Sequence, residues 1–115
     1  MHEDKSVMRL LAALSMAALL TACGKPLPPE KASYAGLWKA PQMSLLITQD
    51  GSVKYERLEG GATTSVSALL KGFDGDNFSA GLGPMTTTFV VAAPPHQAGE
   101  QTKMAVDGIE LTKEP

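Results

Sequence analysis

The chain has little of the residue types on which many sites and folds depend. Its 115 residues include one cysteine and 5% aromatic residues, and its formal net charge is −2. A single cysteine excludes a disulfide within the chain. A net charge near zero does not provide the strongly basic face of a nucleic-acid binder. We therefore expect one small domain without internal cross-links and without a nucleic-acid partner.

Signals for catalysis and metal binding are also scarce. The motifs Gly-x-Ser-x-Gly and His-Glu-x-x-His do not occur in the sequence. His96 follows Pro94 and Pro95, a context that predicts an exposed loop. Asp74 and Asp76 lie in an Asp-Gly-Asp-Asn run, but calcium needs six to eight oxygen ligands, so the run is more typical of a turn. The sequence predicts that the protein is not an enzyme and binds no metal or cofactor.

The apolar stretch near the start of the chain is too short for a membrane-spanning helix. It covers residues 10–20 (LLAALSMAALL), whereas a spanning helix needs about 17–25 residues. Arg9 precedes it and small residues follow it, which is typical of a secretory signal. Glu3 and Asp4 do not fit the basic start of such a signal, so we expect Met8 to be the natural beginning. The stretch therefore predicts a signal helix that is cleaved.

Leu20, Thr21, Ala22 and Cys23 end this stretch and resemble the lipobox of bacterial lipoproteins. The resemblance implies recognition by lipoprotein signal peptidase, cleavage before Cys23, and attachment of a diacylglycerol and an N-acyl chain to that residue. Two or three acyl chains give a stable membrane anchor. Gly24 follows the cysteine, which implies sorting to the outer membrane, facing the periplasm. The alternative is an N-terminal core helix that buries the cysteine.

The chain then divides into three parts. Residues 1–22 are the predicted signal peptide, and residues 23–32 are the acylated cysteine followed by a tether. Three prolines within residues 24–30 (GKPLPPE) favour an extended spacer. Residues 33–115 are the predicted β-rich periplasmic domain.

The domain is predicted to be all-β because its apolar residues alternate with a period of two. Residues 43–47 and 53–56 alternate on either side of Asp50-Gly51, and residues 102–106 and 109–111 flank Asp107-Gly108. Asp-Gly pairs between alternating segments predict hairpins. Residues 62–68 (ATTSVSA) and 86–91 (TTTFVV) are β-prone as well. We expect a small antiparallel meander that forms a partly open barrel or a curled sheet.

The entrance to the domain carries a Gly-Leu-Trp sequence that ends at Trp38. This Gly-x-Trp sequence resembles the opening of lipocalins, in which the tryptophan closes the base of the barrel. The resemblance implies a small β-barrel in which Trp38 lies at the base. The alternative is ordinary packing of Trp38 in the first strand.

The sequence favours two functions, and an enzyme, which would need a cleft where His96 meets Asp or Glu, is the third possibility. The first is a non-enzymatic interaction or structural module that binds another envelope protein, or itself, through a sheet edge or the apolar segment at residues 78–85. The first strand and residues 86–91 are candidate edges. Phe78, Leu82 and Met85 form the candidate patch, and the alternative is that they plug the end of the sheet. The second function is a carrier of a small apolar ligand, with lining residues Trp38, Met43, Leu45, Tyr55, Phe73, Phe89 and Met104.

Overall fold

The computed structural model describes residues 24–115. The predicted signal peptide and Cys23 therefore lie outside the described residues. Within 24–115, no helix is long and apolar enough to span a membrane. A 3₁₀ helix at Pro29–Tyr34 precedes the strands, which are β1 Gly36–Ala40, β2 Met43–Ile47, β3 Ser52–Glu59, β4 Ala62–Asp74, β5 Asn77–Leu82, β6 Met85–Phe89, β7 Val91–Ala98, β8 Gln101–Val106 and β9 Ile109–Lys113.

The strands form one antiparallel sheet, so the predicted all-β meander is confirmed. Their order across the sheet is β6-β5-β4-β3-β2-β1-β9-β8-β7. Successive strands are neighbours except β6 and β7, which lie at opposite ends of the order. β1 pairs with β9 as well as with β2, and Trp38 lies opposite Lys113. The first strand is therefore internal, and the prediction that it lies at an edge is wrong. The sheet curls into a half-barrel.

Both predicted hairpins are present. The β2–β3 loop is closed by a hydrogen bond from the Thr48 amide to the Ser52 carbonyl (2.9 Å), and Gly51 in this loop has a φ of +94°. The β8–β9 turn has two residues, Asp107 (φ +51°) and Gly108 (φ +79°). Positive φ at both central residues is the geometry that matches the twist of the flanking strands. The two Asp-Gly pairs therefore predicted the hairpin positions correctly.

A single residue, Val90, joins the two ends of the sheet, because β6 ends at Phe89 and β7 begins at Val91. Consecutive Cα atoms are about 3.8 Å apart, so the two outer strands must meet at this point. Asp107 Oδ1 accepts a hydrogen bond from the Val90 amide (2.9 Å), and Asn77 Oδ1 accepts one from the Val91 amide (2.8 Å). The Asp107 and Asn77 side chains therefore stabilise the connection between β6 and β7, where the two ends of the curled sheet meet.

The structure of β7 differs from the loop that the sequence predicts at this position. Pro94, Pro95 and His96 were expected in an exposed loop, but they lie within β7, at an edge of the sheet. Proline is tolerated in edge strands and at bulges, and Pro94 and Pro95 lie where β7 is not paired in regular register with β8. The register of β7 against β8 shifts twice, between Val91 and Ala93 and again before His96. His96 is exposed, as expected, but on a strand.

The 3₁₀ helix packs against the core of the half-barrel through Tyr34. The Trp38 indole donates a hydrogen bond to the Tyr34 carbonyl (2.9 Å), and the Tyr34 hydroxyl donates one to the Asp76 carbonyl (2.9 Å). Tyr34 also contacts Phe73 edge-on, with ring centroids 5.2 Å apart. Trp38 is fully buried. This arrangement is consistent with the lipocalin-like resemblance at the level of the fold.

The segment before the 3₁₀ helix lies against the sheet. The Lys25 amide donates a hydrogen bond to the Leu70 carbonyl (3.2 Å), and the Leu27 amide donates one to the Gln49 carbonyl (3.0 Å). Leu27 is buried in the core. A Cβ at Gly24 would lie 2.4 Å from the Gly51 carbonyl oxygen, so only glycine fits there without displacing its neighbours. Lys25 and Leu27, which belong to the predicted tether of residues 23–32, are therefore hydrogen-bonded to the domain.

Candidate functional site

The first half of β4 is exposed to solvent. On one side, β4 pairs with β3 from Ala62 to Leu69. On its other side, β5 pairs with it only from Leu69 to Asp74. Residues 62–68 therefore have one side with no strand partner among the described residues. We call this stretch, residues 62–68, the β4 edge.

Local sequence explains why the β4 edge is a strand without a second neighbour. Its threonines and valine favour extended backbone, and the preceding turn contains Gly60 (φ +57°) and Gly61 (φ +83°). β4 has 13 residues, whereas β5 has 6. The turns on either side of β5 limit its length, so β5 ends before it reaches the β4 edge.

The β4 edge lacks the devices that usually protect such edges. Natural edge strands are commonly blocked by charged residues, proline or bulges. Residues 62–68 (ATTSVSA) contain no charged residue and no proline. Residues 62–67 are exposed, and Val66 has an exposed fraction of 46%. The segment is therefore a template for pairing with another strand.

The two outer strands of the sheet are less suited to pairing. β7 contains Pro94 and Pro95, and its register is irregular. β6 has 5 residues, of which Phe89 is buried and the others are exposed. The predicted edge at residues 86–91 thus lies partly in β6, an outer strand of the sheet. β6 is shorter than the β4 edge.

The predicted patch is divided by the structure. Leu82 and Met85 face each other across the end of the β5–β6 hairpin, with exposed fractions of 57% and 75%. Phe78 is only 1% exposed and stacks on Phe89 with ring centroids 4.8 Å apart. The expectation that Phe78 belongs to an exposed patch is wrong: it lies on the same face of β5 as Leu82, but near the start of the strand, where this face is buried, whereas Leu82 lies at the exposed end.

Leu82 lies beside the β4 edge. It lines a shallow groove of about 420 Å³ together with Ser67, Ala68 and Leu69. Ser67 and Ala68, the last two residues of the β4 edge, line this groove with Leu82, so the free backbone and an exposed apolar side chain are adjacent. A strand added to the β4 edge would end next to Leu82.

The predicted lining residues all belong to one hydrophobic cluster. Trp38, Met43, Leu45, Phe89 and Met104 are buried, and Tyr55 and Phe73 are half-buried and pack against them. They contact one another as well. The Tyr55 and Phe89 rings, for example, are 5.5 Å apart. These side chains therefore fill much of the space inside the half-barrel.

Charges near the β4 edge lie on β3 and are largely balanced. The charged residues of β3 alternate in sign along the strand: Lys54, Glu56, Arg57 and Glu59. Arg57 and Glu59 form an ion pair (3.4 Å) at the surface, which contributes little to stability. The edge therefore has a nearly neutral surrounding that neither attracts nor repels a charged partner strongly.

The titration of two other groups is altered, but both lie away from the β4 edge. Burial, with a smaller contribution from Asp76, raises the pKa of Tyr34 to about 12. The Lys103 ammonium, 2.8 Å from the Glu110 carboxylate, lowers the pKa of Glu110. His96 Nδ1 lies 2.8 Å from the Pro94 carbonyl on the exposed strand β7.

In the part of the chain that the structure describes, no group of three or more His, Cys, Asp or Glu residues could hold a metal ion.

The sequence of residues 62–68 shows that they are β-prone, but it does not show that one side of this strand lacks a partner strand. The signal that could have revealed it is the unequal spacing of turns. Asp74 and Asn77 close one end of β5, and the turn at Gly83 closes the other. The strand between them is too short to cover β4.

No protein-family model matches this chain, and no curated protein or solved structure is significantly similar to it.

Proposed function

We propose that this chain is a lipid-anchored envelope lipoprotein whose β-domain is a non-enzymatic interaction module. Its β4 edge binds an extended segment of a second polypeptide by strand addition. The observation that carries this proposal is the exposed and uncharged free side of residues 62–68. Strand addition to an exposed edge is a recurring mode of peptide recognition.

Backbone hydrogen bonds supply the affinity in this mode. Each such bond contributes a net stabilisation of about 0.5–1.5 kcal/mol. Side chains then select the partner, and the exposed Val66 and Leu82 favour apolar residues in the added strand. The uncharged β4 edge favours a neutral partner segment over a charged one, because a neutral segment loses less hydration on binding.

The anchor supports the same function. Acylated Cys23 would be followed directly by Gly24, which packs against Gly51 and Leu70. The domain would then lie at the membrane surface, on the periplasmic side of the outer membrane, and would meet partners in that layer. Holding two partners on one membrane raises their effective concentration.

The second candidate function is a carrier of a small apolar ligand. The curled half-barrel and the Gly-x-Trp entrance support it. Against it, Trp38, Leu45 and Met104 have no exposed area, and the interior of a small sheet is usually filled by its own side chains. Native mass spectrometry that finds a bound lipid released by Met104→Trp would favour the carrier over the interaction module.

The anchor is tested with Cys23→Ser in the full chain. We expect the wild type to fractionate with membranes and to carry the mass of its acyl chains, and the variant to lose both. Thr21→Ser, which keeps a small hydroxylated residue before the cut, is the matched control and should behave as the wild type. If Cys23→Ser remains in the membrane fraction with an unchanged acyl mass, the chain is not a lipoprotein.

The edge is tested with Ser65→Lys, since a lysine on an edge strand opposes pairing. Affinity purification from detergent extracts should recover a partner with the wild type and lose it with the variant. Thr87→Lys on the exposed face of β6 is the matched control and should retain the partner. The interaction module is refuted by the absence of a reproducible partner together with a monomeric mass.

A further inference from the structure

We infer that the segment added to the β4 edge is the β4 edge of a second copy of this chain. The two edges would pair antiparallel about a two-fold axis through Ser65, which joins the sheets as β3-β4-β4-β3. This inference rests on the proposed function, because it names the partner of the same edge. It would make the protein a dimer with one continuous sheet.

The sequence of the edge is compatible with pairing to itself. A two-fold axis at Ser65 places Ala62 opposite Ala68, Thr63 opposite Ser67, and Thr64 opposite Val66. Small residues face small ones, and β-branched residues face each other. Thr–Ser and β-branched pairs of this kind stabilise antiparallel strands. A symmetric dimer also needs a surface that is complementary to itself, and this edge meets that requirement.

Electrostatics permit the symmetric pairing. Like charges directly opposite each other destabilise a strand pair, and the β4 edge has no charges. The nearest like charges would be the two Glu56 side chains, because Glu56 lies opposite Ser65 on β3. They would be separated by three strand spacings, or about 14 Å, which exceeds the screening length of about 8 Å at physiological salt. Their repulsion is therefore small.

The position of the anchors is compatible with one membrane. The backbone at Lys25 is hydrogen-bonded to Leu70, which lies five residues along β4 from Ser65. The two anchors would therefore be about 33 Å apart along the strand direction. Both reach the same bilayer when the joined sheet lies along its surface. The contact is smaller than a standard interface of about 20–30 residues a side, so we expect it to depend on the concentration that a shared membrane provides.

Disulfide cross-linking of the full chain in its native membranes tests the pairing. In Ser65→Cys the two new thiols would lie directly opposite, at a Cα–Cα distance of about 4.5–5.5 Å, which a disulfide can bridge. In Ser67→Cys they would be four residue steps apart, or about 13 Å, which is too far. After oxidation with diamide, we expect at least tenfold more covalent dimer for Ser65→Cys than for Ser67→Cys.

The outcomes separate this inference from the proposed function. Equal dimer yields for the two variants, or a higher yield for Ser67→Cys, overturn the two-fold pairing. If Ser65→Cys gives no dimer while the wild type still binds another protein that Ser65→Lys loses, the edge has a different partner and this inference is wrong. A disulfide dimer of the wild type would show a free Cys23 thiol and contradict the anchor. Selective cross-linking of Ser65→Cys supports the dimer.

Discussion

Tyr34 provides the sharpest test of how the entrance segment is held on the sheet. Its hydroxyl donates a hydrogen bond to the Asp76 carbonyl in the β4–β5 turn (2.9 Å), and its ring contacts Phe73 and Phe78 edge-on. Tyr34→Phe removes the hydrogen bond and keeps both ring contacts. The change in stability therefore reports on the hydrogen bond alone.

The expected loss for Tyr34→Phe is about 0.5–1.5 kcal/mol in the free energy of unfolding, the net contribution of one hydrogen bond. For a domain of this size, 1 kcal/mol corresponds to a decrease in Tm of about 4–8 °C. Tyr34→Ala also removes the ring contacts, and loss of a buried aromatic side chain costs about 3–5 kcal/mol. The two variants should therefore differ by a clear margin.

The pH dependence adds a second signature of Tyr34. Burial raises its pKa to about 12 in the folded state, whereas an unfolded tyrosine has a pKa near 10. The neutral phenol therefore stabilises the fold fully below about pH 10, and this contribution is lost as the pH rises from about 10 to 12. The stability difference between the wild type and Tyr34→Phe should be constant at neutral pH and should shrink in that alkaline range.

Urea unfolding followed by tryptophan fluorescence measures both effects, because Trp38 donates its indole hydrogen bond to the Tyr34 carbonyl. Curves at neutral pH and at several points between about pH 9 and 12 give the stability difference directly. Our reasoning is refuted if Tyr34→Phe is as stable as the wild type at neutral pH. It is also refuted if the difference stays constant throughout the alkaline range.

Three further substitutions test other parts of the fold by urea unfolding. Met104→Ala, at a fully buried position, should destabilise by about 2–5 kcal/mol through the cavity it leaves, and a loss below that range would indicate a loosely packed interior. Asp107→Gly should cost about 0.5–1.5 kcal/mol because the amide that joins β6 to β7 loses its acceptor at an exposed site, whereas Asp107→Asn keeps an acceptor and should be close to the wild type. Gly51→Ala should cost more than Gly60→Ala, because both have positive φ but only at Gly51 would the new Cβ meet another group, the Lys25 carbonyl oxygen at 2.3 Å. Equal costs for the two glycines would show that the entrance segment is not packed there.

The local features of the fold were predictable because they depend on neighbours in sequence. The turn at Asp107-Gly108 follows from the positive φ that these residues tolerate, and the alternation in β2 follows from the two faces of a strand. The turns also marked most strand ends. Pro94 and Pro95 were the exception, because proline breaks an internal strand but is tolerated at an edge, and edge position is not a local property.

The candidate site was predictable only in part. Leu82 and Met85 belong to the candidate patch, whose alternative is that its residues plug the end of the sheet, and the structure exposes both. Phe78 lies on the same face of β5 as Leu82, but that face is buried near the start of the strand, and only the fold decides this. The β4 edge was recognised as β-prone, but its free side depends on how far β5 extends beside it.

The sequence by itself determined the short N-terminal apolar stretch with its single cysteine, the all-β character of the domain and the positions of its two Asp-Gly hairpins. Each follows from composition or from interactions within a few residues. Only the tertiary structure decided which strands are internal, where Val90 joins the ends of the sheet, and that residues 62–68 have an unpaired side. These properties depend on pairing between distant segments. They are decided by which strand lengths and side chains fit together when the sheet curls around one core.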